Sequence, residues 1–213
     1  MNVNMVDSIV QDETFSFSVY KEMVDKYLEI DFREITIQNR VITSLLDRLF
    51  LNEKDISIVD ISTQTDRNNS KIHDTRNYRK EKASSPDLLV ARHWNYKNID
   101  NDNIDYLGVV EVKSPVLMSL DKNRFEDQIE NHLEVNDKVI LTDSIKWLFF
   151  EKKHGLNPIK TISLFDKNNN WKIKEVNTPE LLIEEIQFKP TYKEEPEEWN
   201  QLCKYIREFL NGN

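Results

Sequence analysis

The sequence predicts an α/β fold, a mixed β-sheet flanked by helices, on three observations. In EITIQNRVITSLLDRLFLN, from Glu34, apolar residues Ile37, Val41, Leu45 and Leu49 and their neighbours Ile42 and Leu46 recur at helical spacing. Three short β-rich segments follow: DISIVDIS (55–62), PDLLVARHW (86–94) and YLGVVEVKS (106–114). A further helix, LDKNRFEDQIENHLEV (120–135), then leads into DKVILTD and IKWLFFEK, two strands joined by a turn at Asp143-Ser144. The order is helix, three strands, helix, strand (αβββαβ).

Each element follows from its own pattern. A first helix is expected around Phe17 to Leu28. The segment 55–62 alternates and is β-branched, as a half-buried strand requires, whereas 106–114 is apolar on both faces near its centre, as expected inside a sheet. IKTISLFD and WKIKEV, separated by KNNN, read as a hairpin, and two helices are expected near Pro179 to Gln187 and Glu195 to Leu210. In the last helix Trp199, Leu202, Ile206 and Leu210 form one apolar stripe. That stripe either packs on the core or forms the seam of a homodimer; core packing is the reading taken. A single domain spanning 1–213 is expected, with a core of about 34–151 and a C-terminal hairpin and helices over 152–213.

Composition removes several classes of function. Lys plus Arg total 29 against 38 Asp plus Glu, a net charge of −9, so a polyanion would have to be gripped locally or through a cation. Three isolated glycines cannot build a phosphate-binding loop or a dinucleotide fingerprint. One cysteine, Cys203, excludes an intramolecular disulfide, and the four histidines lack zinc-site spacing. The N-terminal MNVNMVDSIVQDETFSF has no basic stretch followed by an apolar one, and no run reaches transmembrane length. A cytoplasmic protein without a membrane partner is expected.

The chemistry concentrates in two strands. In VVEVKSP, Glu111 and Lys113 are two residues apart, so on a strand both project to the side of Val109 while Val110 and Val112 face the other. Such a pair inside an apolar strand is unfavourable unless something uses it. Asp87 opens the preceding strand, where its carboxylate can meet Glu111 across the sheet. Two adjacent carboxylates repel unless a cation lies between them, and hard oxygen ligands favour Mg2+ or Mn2+. A lysine beside such a cation suits phosphodiester hydrolysis.

Pro86-Asp87 followed by Glu111-Val112-Lys113 resembles the signature of the PD-(D/E)XK nuclease superfamily, the restriction-endonuclease-like fold, over about residues 34–151. Glu34 opens the helix before the first core strand, where many members carry an additional acidic residue. Gln128 matches a glutamine in the subset related to RecB-type nucleases and to type I restriction subunit nuclease domains; the subset's tyrosine four residues later is His132 here. The resemblance implies a metal held by Glu34, Asp87, Glu111 and the Val112 carbonyl, with Asp87, Glu111, Lys113 and Gln128 serving catalysis on nucleic acid. DNA is the expected substrate, in restriction, repair or defence. An RNA endonuclease of the same fold and a catalytically silent binding module are the alternatives. His132, on the face of Gln128, is read as structural. The basic segment Arg67 to Lys82 reads either as a solvated insertion or as a phosphate grip. DNDNIDYLGVVE imitates a calcium loop, but Asp105 stands where that loop needs glycine, so a turn is expected.

Overall fold

The helix beginning at Glu34 sets the layering of the molecule, whose computed structural model describes residues 16–62, 85–95, 103–115, 125–177 and 191–212. It is preceded by α1 (Phe17–Ile30), which Ser16 caps through its side-chain oxygen and which buries Phe17, Tyr20 and Val24. The next helix runs without a break as α2 (Glu34–Ile37), a π-helical turn (Gln38–Ile42) and α3 (Thr43–Leu49). The wide turn has a sequence cause. Successive four-residue steps in an ideal helix overshoot a turn by about 40° each, so Ile37, Val41, Leu45 and Leu49 would drift off one face. A π turn absorbs the surplus residue, and all four stay buried.

Six strands form one mixed sheet in sequential order: β1 (Ile56–Asp60), β2 (Leu88–Arg92), β3 (Asp105–Val112), β4 (Lys138–Thr142), β5 (Lys146–Glu151) and β6 (Lys160–Ser163). Neighbours are antiparallel except β3 and β4, which are parallel and therefore need a crossover. The helix α4 (Glu126–Val135) lies in that connection. The predicted order of helix, three strands, helix and strand is the observed one.

The sheet separates two apolar clusters. On one face Leu88, Val90, Val110, Val112, Ile140 and Phe149 pack with α1, α2, α3 and the last helix, α5 (Glu197–Asn211). On the other, Leu89, Ala91, Val109, Val139 and Leu141 pack with Ile129 and Leu133 of α4. Val109 and Val110 therefore face opposite ways, as the alternation in the sequence requires. Trp199, Leu202, Ile206 and Leu210 are all in the first cluster, so this stripe is used by the core and a homodimer would need another surface.

The hairpin expected from IKTISLFD and WKIKEV forms only at its tip. After β6 the chain turns at Asp166, whose side chain accepts from the N–H groups of Asn168 and Asn170, but pairing back ends at the Phe165–Trp171 bridge and the Lys172 N–H bond to Leu164. Trp171 also packs edge-on against Phe17 and donates to Asp25 of α1 at 2.8 Å. The chain is thereby drawn off the sheet, and β7 (Lys174–Asn177) pairs with β8 (Thr191–Glu194) in a separate two-stranded sheet. The basic segment 67–82, Asp100 and Asp102 of the calcium-loop imitation, and the helix expected over 179–187 lie outside the described residues. No helix among the described residues is long and apolar enough to cross a membrane.

Candidate functional site

Asp87 stands one residue before β2, directly after Pro86, which keeps the backbone of Ser85 extended on the way in. Its carbonyl accepts from Ile61 N–H at 3.0 Å and from the buried Gln38 side chain at 3.4 Å. The β2–β3 register pairs Leu88 with Val110, so one step further sets Asp87 opposite Glu111. The Asp87 carboxylate accepts the Val112 N–H at 2.7 Å. Burial first, and the Glu111 charge second, push its carboxyl up to about 7, with a further push from Glu34; the Val112 N–H and Lys113 only partly oppose this.

Glu111 and Lys113 lie on the α4 face of β3, both buried. Lys113 Nζ donates to Glu111 Oε1 at 2.6 Å and sits 5.2 Å from the centroid of the Phe125 ring. The other oxygen, Oε2, lies 3.0 Å from Nε2 of His132, whose ring is fully buried. Burial pushes the Glu111 carboxyl up, but the His132 hydrogen bond and the Lys113 charge outweigh it and hold the group below its ordinary value. Adjacent carboxylates are thus driven apart in acidity, Asp87 upward and Glu111 downward.

Glu34 arrives from the opposite helical layer. It is exposed, and its Oε1 accepts the N–H of Ser114 at 3.4 Å, just past the end of β3. The Ser114 hydroxyl donates to the Phe32 carbonyl at 2.8 Å, a second tie between this strand end and the start of α2. Val112 meets Asp87 through its N–H; in a strand the N–H and C=O of one residue share a side, so its carbonyl faces the same way. Gln128 is half-buried on α4, and the α4 side chain that reaches Glu111 is His132, one turn later. On sequence alone His132 reads as structural. The signal that could have placed it is its position between Ile129 and Leu133, which face the sheet side carrying Glu111.

The donor set of Asp87, Glu111, the Val112 carbonyl and Glu34 is all oxygen, the chemistry that a hard divalent cation takes. Asp87 retains a proton near neutrality where a cation would relieve the same repulsion, and Mg2+ keeps several waters, so two carboxylates suffice as direct anchors. The residues fit such a cation. They do so without a ready-made cage: among the described residues no group of three or more His, Cys, Asp or Glu side chains is gathered to hold a metal ion. No family model, curated protein or solved structure matches this chain.

Proposed function

We propose that the chain is a Mg2+- or Mn2+-dependent nuclease of restriction-endonuclease-like fold that hydrolyses phosphodiester bonds, with DNA as substrate. The observation that carries this reading is the meeting of Asp87, Glu111 and Lys113 on one sheet face, with the Lys113 ammonium 2.6 Å from Glu111. When bound, the cation would lower the pKa of a coordinated water and draw off charge developing on phosphorus.

The residues of this chain divide the remaining work. Asp87, Glu111 and the Val112 carbonyl would hold the cation, with Glu34 reaching it through water at the exposed end of β3. Lys113 has three N–H donors, of which Glu111 takes one. Its others can hold the attacking water or a phosphate oxygen. Packing against Phe125 limits where that ammonium can go, and the main-chain N–H of Lys113, bonded to the Thr142 carbonyl at 2.8 Å, fixes the strand that carries it. Gln128, half-buried on the same helix as His132, would support the substrate side.

A second reading has its own support. Both Glu111 oxygens are already satisfied by Lys113 and His132, which suits a silent module that binds nucleic acid or protein without cleaving it. Cleavage of DNA and of RNA in Mn2+ and Mg2+, by the intact protein and by Asp87→Ala and Lys113→Ala, separates the readings. Metal-dependent cleavage lost in both variants supports the enzyme, and the preferred polymer decides between DNA and RNA. No cleavage by the intact protein, with no Mn2+ binding in calorimetry, sinks it.

A further inference from the structure

We propose that His132 is a positioning residue that ties down one oxygen of Glu111, so that Glu111 offers a cation its other oxygen alone; this rests on the nuclease reading above. The Glu111 carboxylate is paired with Lys113 at 2.6 Å, and an ionised carboxylate only accepts hydrogen bonds. The contact of 3.0 Å between Oε2 and His132 Nε2 therefore has the imidazole donating, with the proton on Nε2. The ring is held by the fold. His132 is fully buried, Ile129 and Leu133 on either side of it in sequence are in the core under the sheet, and the Asn136 side chain donates to the His132 carbonyl at 2.9 Å.

The two oxygens of Glu111 thus have unlike partners. Oε2 is bound to a rigid ring that cannot leave without disturbing α4, whereas Oε1 accepts one of the three donors of the Lys113 ammonium and keeps a lone pair that a cation could share. Glu111 would then hold a cation beside Asp87 through Oε1, with His132 keeping the carboxylate from rotating away. Partners of this kind orient metal ligands, and their removal weakens metal binding by roughly tenfold to a hundredfold.

His132→Gln retains an N–H donor of similar reach, and His132→Leu keeps the bulk without the donor. With Mn2+ titrated into each full-length protein by calorimetry, His132→Leu is expected to bind about tenfold to a hundredfold more weakly and His132→Gln within about threefold of the parent. Cleavage lost in His132→Leu should return at saturating Mn2+, which a general packing defect would not allow. If His132→Leu fails to fold, His132→Asn, with a shorter donor, should fall between parent and loss. Parental Mn2+ affinity in a folded variant without the donor, or in His132→Asn, overturns the proposal and leaves the nuclease reading standing. A parent protein that neither binds Mn2+ nor cleaves overturns both.

Discussion

Asp87 and Glu111 face each other across β2 and β3 with opposite tendencies: the first is pushed toward its protonated form and the second is held ionised by Lys113 and His132. The consequence for stability has a definite sign. The folded chain keeps the Asp87 proton up to about pH 7, whereas an unfolded carboxyl releases it near pH ~4. The folded state therefore binds more protons in that interval, and the stabilisation present below it is lost as pH rises through about 7. Asp87→Asn should remove this dependence. In urea melts with chelator, the variant should gain about 2–3 kcal/mol on the parent between about pH 5 and about pH 8.5. Parallel pH profiles would show that Asp87 titrates normally. Mn2+ at high pH should stabilise the parent and have little effect on the variant.

Lys113 carries a separable prediction, because it touches the same Glu111 oxygen that a cation would use. Lys113→Ala removes the donor that would hold water, so cleavage should fall by about 10²–10⁴. It also removes a competing positive charge, so Mn2+ affinity should be retained or increased. Loss of Mn2+ binding in a folded Lys113→Ala protein would contradict this assignment, since the lysine would then be supporting the metal rather than the water.

The sequence shows how far local rules carry. Period-2 alternation alone put Glu111 and Lys113 with Val109 and against Val110, and strand order put Asp87 beside them. The π turn was also written there, in four consecutive buried positions spaced four apart, but a search for helical spacing accepts that pattern without asking where the surplus residue goes. His132 was harder. Its role depends on α4 crossing from β3 to the parallel β4, a long-range arrangement that no window of sequence contains. The short reach of the expected hairpin has the same origin, because Trp171, still bridged to Phe165, also contacts Phe17 and Asp25, about 150 residues away in sequence, and pairing stops after Lys172.

Tyr20 joins α1 to the turn between β4 and β5. Its hydroxyl, fully buried, donates to the Ser144 carbonyl at 2.6 Å, and Ser144 has a positive φ of 74°. Asp143 fixes the same turn by accepting from the N–H groups of Ile145 and Lys146. Burial, then the nearby Asp143 charge, push the Tyr20 phenol well above its ordinary value, so it remains a donor through the whole neutral and mildly alkaline range. Tyr20→Phe keeps the ring and removes that bond. Denaturant melts should show a loss of about 1–2 kcal/mol, with the slope of the transition unchanged. An unchanged midpoint would mean that the Trp147 indole, 3.4 Å from the same carbonyl, satisfies it alone.

Gly108 lies between α5 and β4 with no room for a side chain. It lies where the β2–β3 register slips: Val90 pairs with Gly108 but Ala91 with Tyr106, leaving Leu107 as the additional residue. A methyl group at Gly108 would stand 2.9 Å from Leu210 Cδ2 and 3.1 Å from the Lys138 carbonyl oxygen. The leucine can turn aside, but the carbonyl belongs to β4 and cannot move without disturbing the parallel pair that carries Glu111. Gly108→Ala should therefore destabilise the fold by about 1–3 kcal/mol. Leu210→Ala in the same chain relieves only the first clash while opening a cavity. The double variant should accordingly remain less stable than Gly108→Ala alone. Recovery of parental stability in that double variant would show that the helix, rather than the β4 backbone, sets the need for glycine.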